Sequence, residues 1–167
     1  MKLRLTVRDL EPGDLADLDW SGGPEHLRAV AAAMQASYAG DVGLVVAALE
    51  NGRLAGMGAV DFRPQPGSGL LWMLAVHEVL QGLGIGTRLI RALERRTVQS
   101  GRSRARIHVE HDNPRARMLY RRLGYREVGS TLDAWPVAGG KTYVTVCTIL
   151  ERDLGPGEPP TGESAHH

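Results

Sequence analysis

Cysteine occurs once in this chain of 167 residues, as Cys147. A single thiol excludes an internal disulfide, and the six histidines are dispersed, so no Cys/His cluster has the spacing of a structural zinc site. Aromatic residues are scarce, at 5% of the chain. No nucleic-acid recognition motif accompanies them. No apolar run is long enough for a membrane span. The start, Met1-Lys2-Leu3-Arg4-Leu5-Thr6-Val7-Arg8, alternates like a strand and does not read as a signal peptide. Together these point to a cytoplasmic protein without a metal, and the length suits one domain with ample core-forming material.

What the chain has is glycine at one telling place. In Leu74-Ala75-Val76-His77-Glu78-Val79-Leu80-Gln81-Gly82-Leu83-Gly84-Ile85-Gly86-Thr87-Arg88-Leu89, an apolar strand-like segment breaks into glycines at alternate positions and passes directly into a helix-forming stretch. Glycines at such a junction let backbone N–H groups turn outward and let a bulky anion approach the main chain. The helix adds the positive end of its dipole, so the junction is a phosphate seat. The spacing is Gly-x-Gly-x-Gly, not the Gly-x-Gly-x-x-Gly of a dinucleotide fold, and no acidic residue ends a second strand about 20 positions on. No Gly-Lys-Ser/Thr follows, which excludes a P-loop.

A second segment runs from Ile107 through Asn113-Pro114-Arg115-Ala116-Arg117-Met118-Leu119-Tyr120 to Leu123-Gly124-Tyr125. It reads as a short strand, then Asn113 as N-cap and Pro114 at the first helical position. Ala116, Leu119, Tyr120 and Leu123 recur at helical spacing to give one buried face, and Gly124 closes the helix in a left-handed cap. The pattern Gln81-x-x-Gly84-x-Gly86 resembles the coenzyme A signature of the GNAT family of N-acetyltransferases. The strand, Asn-x-x-Ala, Leu-Tyr and Leu-Gly-Tyr elements resemble the second signature of that family, in the right order and at the right separation. The resemblance spans roughly residues 1–153, and its specific part is 72–126.

The remaining elements follow from periodicity and turn chemistry. A strand is expected over 3–8, a helical region near 12–18, a turn at Ser21-Gly22-Gly23, and a helix from Pro24 to about Ser37. Gly43–Leu49 and Arg53–Phe62 read as strands joined at Asn51-Gly52, a hairpin signal. Then come a strand over Leu70–Val76, a helix over 83–100 burying Ile85, Leu89, Ile90 and Leu93, and a strand over 104–110. The helix from Pro114, strand 125–130, a loop over 131–141 and a last strand 142–151 complete the expected order. The resemblance implies an α/β fold of GNAT type, a mixed, mostly antiparallel sheet of six to seven strands flanked by about four helices. Residues 1–154 are expected to form one domain, and the Pro/Gly-rich stretch 155–167 to be disordered.

Charge is unevenly spread. Residues 82–126 hold 12 Arg against 3 acids, a net of +9, so the rest carries −8. A basic half suits a binder of a nucleotide diphosphate and needs no nucleic-acid partner. The acidic half points to a cationic acceptor.

Acyl transfer to an amine needs a held thioester, a polarised carbonyl, a free nitrogen lone pair and a proton for the departing thiolate. By the resemblance, the turn Gln81, Gly82, Leu83, Gly84, Ile85, Gly86 and Thr87 holds the diphosphate of acetyl-CoA. Main-chain groups of Leu74 and Val76 hold the pantetheine arm, in a strand that splays from 104–110, and the amide of Leu74 or Ala75 polarises the thioester oxygen. Asn113, with Arg117 in the same helix, stands where the family places side chains near the cofactor. Tyr120 matches the tyrosine beside the cofactor sulfur that protonates the thiolate. A phenol of pKa near ~10 donates at modest cost to a thiolate whose acid has a pKa of about 8.5. For the base, Glu110 is the first choice; His108 shares its strand face by the period of two, and Glu78 lies just past the neighbouring strand. Trp20, Tyr38, Phe62, Trp72 and Trp135 are candidates for the acceptor pocket, Trp135 in the loop between the last strands. Cys147, among apolar residues in mid-strand, reads as a small buried side chain, which favours direct transfer.

The expected function is acetyl-CoA-dependent N-acetylation of a small-molecule, peptide or protein amine, with a homodimer as a possible assembly. The alternatives are a non-catalytic acyl-CoA-binding sensor of the same fold and a nucleic-acid binder using the Arg-rich half.

Overall fold

The computed structural model describes residues 3–155; the expected disordered tail lies, from residue 156 on, outside the described residues. The elements are β1 (Leu5–Asp9), 3-10 turns at Pro12–Asp17 and Asp19–Ser21, α1 (Pro24–Tyr38), β2 (Val42–Leu49), β3 (Leu54–Asp61) and β4 (Ser68–Val76). A 3-10 turn at Glu78–Leu80 leads to α2 (Ile85–Gln99), β5 (Arg104–Glu110), α3 (Pro114–Arg122), β6 (Arg126–Val137) and β7 (Lys141–Asp153). The strands form one seven-stranded sheet in the order β1-β2-β3-β4-β5-β7-β6. Every neighbouring pair is antiparallel except β4 and β5.

The sheet is covered on both faces at its centre, which is why β2 and β3 read as nearly unbroken apolar runs. Val45 and Ala47 point into the cluster under α2 with Ile85, Leu89, Ile90 and Leu93. The alternate residues Leu44, Val46 and Ala48 point into the cluster under α1 with Val30, Ala33 and Met34. The β2–β3 hairpin turns at Gly52, whose φ is +85°, while Asn51 Oδ1 accepts from the Arg53 amide at 3.0 Å. Glycines on the sheet let α2 sit close. A β-carbon at Gly58 would lie 2.9 Å from Leu93 Cδ1, and one at Gly69 would lie 2.7 Å from Thr97 Oγ1.

Three boundaries differ from the sequence expectation. The helical region after β1 is 3-10, not α. β4 begins at Ser68, because Ser68 and Gly69 already pair with Arg104 and Ala105. The expected loop over 131–141 is instead the distal half of a long β6–β7 hairpin, so Trp135 is a strand residue opposite Tyr143. That arm has no buried face to impose alternation: Leu132, Val144 and Val146 are all exposed. Its turn is carried by Gly139 and Gly140, both at positive φ. On α3 only Tyr120 is fully buried; Ala116, Leu119 and Leu123 are half-buried.

Candidate active site

The parallel β4–β5 ladder runs from Ser68↔Arg104 to Leu71↔Ile107 and stops. Beyond it, β4 continues against β3 alone and β5 against β7 alone. The cause is local. Met57 pairs with Ala75 and Ala59 with Trp72, so Met73 and Leu74 together face Gly58 in a β-bulge. Met73 has φ +56°, the one non-glycine in the left-handed region among the described residues. Such a conformation costs roughly 1–2 kcal/mol, and strain of this kind concentrates at functional sites. The result is a cleft in the sheet with main-chain groups of β4 facing it and no strand to accept them.

β4 leads straight into the glycine turn. The His77 amide donates to Ala55 O at 2.8 Å, and Gln81 Nε2 donates to Val76 O at 3.3 Å, tying the turn to the strand end. Gly82 and Gly84 have φ of +83° and +81°, with open space where their side chains would be. Gly84 is the N-cap of α2 and offers no side chain; the first helical bond is Arg88 N to Gly84 O at 3.2 Å. The amides of Ile85, Gly86 and Thr87 therefore lack intrahelical acceptors and point out of the helix end. α3 differs: Asn113 Oδ1 accepts from the Ala116 amide at 3.1 Å, so the expected cap is formed. An uncapped 15-residue helix behind two left-handed glycines, with the turn exposed, fits a diphosphate.

Leu74, Val76 and Leu80 pack in the same apolar cluster as Ile85, Ala116 and Tyr120, which brings the β4 end, the turn and α3 together. Tyr120 is buried, its ring edge-on to Tyr125 at 5.5 Å between centroids. Burial holds its phenol well above the usual range, so it stays protonated. Its hydroxyl has no partner among the described residues, whereas that of Tyr125 donates to Glu94 at 2.7 Å. Glu94, itself buried, also accepts from Arg91 at 2.9 Å and Arg152 at 3.1 Å, a network that locks α2 to β7. Arg117 has its Nε buried without a partner.

Glu110 and His108 lie on the other face of β5 from Ile107 and Val109, which belong to the Tyr120 side. An acid and a base would thus approach from opposite faces of the sheet and meet through the cleft. Glu110 closes the strand opposite Cys147. His108 Nδ1 lies 2.9 Å from Asp133 Oδ2 on β6, a partner that the loop assignment for 131–141 concealed. Cys147 is buried, and burial together with Asp133 pushes its thiol up to about 12, which removes it as a nucleophile. Glu78 sits exposed in the turn. Of the aromatic candidates, Trp72 lies on β4 where the cleft opens, and Trp20 packs on His77 at 5.2 Å. Phe62, beneath the Arg102 guanidinium, and exposed Tyr38 lie at the far end of the sheet. The concavities beside Arg91 and Arg152, and between Tyr38 and Arg96, also lie away from the cleft.

A splayed parallel pair feeding an uncapped helix through a glycine turn leaves main-chain groups of one strand and the helix end open to a ligand. Residues 13–125 match the sequence model of the acetyltransferase (GNAT) family, and the chain belongs to that family. Solved structures share the fold. A spermidine N-acetyltransferase chimera from Vibrio cholerae and hSSAT is 20% identical with TM-score 0.71, over 90% of this chain and 95% of that one. The ribosomal-protein-S18-alanine N-acetyltransferase of Escherichia coli is 18% identical with TM-score 0.72, over 95% and 99%. A phosphinothricin acetyltransferase from Sinorhizobium meliloti, in complex with acetyl-CoA, is 21% identical with TM-score 0.71, over 95% and 94%. No curated protein matches the sequence.

Proposed function

We propose that residues 1–154 form an acetyl-CoA-dependent N-acetyltransferase that transfers its acetyl group directly to an amine. The observation that carries this reading is the uncapped N-terminus of α2 at the Gly82–Gly84 turn, opening onto the β4–β5 cleft. Amides of residues 82–87 take the diphosphate, with Gln81 fixing the turn. Leu74, Ala75 and Val76 offer main-chain groups to the pantetheine arm and the thioester oxygen. Asn113 and Arg117 stand on the same side through α3. Tyr120, protonated and unpartnered, supplies the proton to the thiolate as the C–S bond breaks. Glu110 supplies negative charge at the cleft mouth on the opposite face.

The acceptor is an amine that arrives as a cation. The relatives named above act on spermidine, a protein alanine and phosphinothricin. In the Arg-rich half, Arg91, Arg104, Arg106 and Arg121 are engaged by carboxylates, which supports a structural role for those four. The test is thiol release from acetyl-CoA with a panel of polyamines, amino acids and N-terminal peptides. Release with at least one amine, reduced in Tyr120→Phe, is the expected result. Binding of acetyl-CoA with no release on any amine would favour a sensor.

A further inference from the structure

We propose that His108, oriented by Asp133, is the base that takes the proton of the acceptor amine; this rests on the acyl-transfer reading. Leu71 and Ile107 are the last pair of the β4–β5 ladder. The next residues, Trp72 and His108, project to the opposite face by the period of two and flank the point where the strands part. Both carry a ring nitrogen that is buried and without a partner, Trp72 Nε1 and His108 Nε2. Orphaned buried polar atoms are rare in folded proteins, and one on each of the two residues that follow the last rung points to a polar group that belongs where the strands part.

Asp133 decides what that group is. A carboxylate only accepts, so at 2.9 Å the proton between them sits on His108 Nδ1, and in the neutral imidazole Nε2 is then the acceptor. Trp72 Nε1 offers a donor and His108 Nε2 an acceptor. A neutral amine meets both, accepting from Trp72 Nε1 and donating to His108 Nε2. An ammonium, which only donates, meets His108 alone, and a carboxylate or phosphate, which only accepts, meets Trp72 alone. The charges facing the imidazole agree. Glu110 lies two residues along β5 and Asp133 across on β6, while Cys147 of β7 is a neutral thiol. The two cations on this face of β5 are both held by carboxylates, Arg106 by Glu151 at 2.6 Å and Arg104 by Asp153 at 3.4 Å. Further out on the β6–β7 arm, the rings of Trp135 and Tyr143 lie 5.0 Å apart, tilted by 50°, with about 41% and 40% of their surfaces exposed. Their rings form a wall for the carbon skeleton of an amine, as aromatic faces do beside cations.

The protons balance. The ammonium gives one proton to His108 Nε2, and the freed lone pair forms the C–N bond to the thioester carbonyl carbon. The C–S bond breaks with its electron pair on sulfur, and Tyr120 O–H protonates that thiolate. The second nitrogen proton leaves as the amide forms and, through solvent, restores Tyr120. His108 discharges its proton to water past Glu110. The net product is one amide, one thiol and one proton.

The test begins with the free full-length protein. Nitrogen-15 NMR of the imidazoles is expected to show His108 protonated on Nδ1 with Nε2 bare, and to lose that preference in Asp133→Asn. A wild-type His108 protonated on Nε2 would overturn the proposal. With 2-phenylethylamine as acceptor, His108→Gln is expected to lose at least tenfold in kcat/KM at neutral pH. It should recover toward wild type above about pH 10, where an amine that ionises like lysine is already free. Asp133→Asn should lower kcat with little change in KM. A folded His108→Gln with the wild-type profile, or loss of the profile in Glu110→Gln instead, would also overturn it. Failure of the acyl-transfer reading is separate, since it appears as no binding of desulfo-CoA to the wild type.

Discussion

Leu71 and Ile107 are the final rung of the only parallel ladder in the described sheet, and the two strands that carry them have different neighbours from there on. The separation is produced on β4, by the bulge that sets Met73 and Leu74 against Gly58. The cleft is thus part of the resting fold, with its main-chain groups already turned toward it.

Tyr120→Phe tests the acid. The hydroxyl has no protein partner among the described residues, so its removal is expected to leave the melting temperature within a degree or two and acetyl-CoA affinity unchanged. Loss of a general acid costs typically about 10²–10⁴-fold in rate. The same drop in kcat and kcat/KM, measured by thiol release, is expected; a variant with wild-type kcat would remove Tyr120 from the mechanism.

The glycines of the turn separate into two kinds. Gly84 is at φ +81°, so Gly84→Ala is expected to lose roughly 1–2 kcal/mol in urea denaturation from backbone strain. Gly86 is helical, and a β-carbon there would make only an ordinary contact, 3.8 Å from Val76 Cγ2. Gly86→Ala should therefore be as stable as the wild type. Equal destabilisation of the two would contradict the left-handed geometry at Gly84.

The turn and α3 were legible because their signals are local. Glycine spacing before a helix, Asn113-Pro114 as a start and Gly124 as a stop depend on nothing distant. The β6–β7 arm was not legible, because neither of its faces is buried enough to write alternation into the sequence. That error hid Asp133 as the partner of His108. The close seating of α2 was equally invisible, since Gly58 and Gly69 read as weak strand residues until Leu93 and Thr97 are placed over them.

Gly69→Ala tests that seating. The added methyl would meet Thr97 Oγ1 and Val60 Cγ2 at 2.7 Å, with no flexible end to yield. Overpacking of this kind costs typically about 1–3 kcal/mol. Denaturant midpoints should fall accordingly; an unchanged midpoint would mean that α2 rides higher on the sheet.

Cys147 gives a pH signature. Its thiol is raised from 9.0 to about 12 by burial and by Asp133. Between those values the unfolded chain releases a proton that the folded chain retains, so stability should fall as pH rises from 9 toward 12. Cys147→Ala should flatten that alkaline limb, and the native thiol should resist alkylation until the protein unfolds. On the acid side, Asp14 is held low by Arg8 and Asp17 by Arg53. Their contribution is present above the ordinary carboxylate range and lost as pH falls below it, through their lowered folded values. Rapid alkylation of folded protein at neutral pH would contradict the burial.

The most direct test is calorimetric titration of acetyl-CoA and desulfo-CoA into the wild type and a Gly84→Asp/Gly86→Asp double variant. Saturable one-site binding to the wild type, abolished by carboxylates at the end of α2 in a variant that still folds, is the predicted result. No binding to the wild type, or undiminished binding to a folded double variant, would contradict the assignment of this turn as the diphosphate seat.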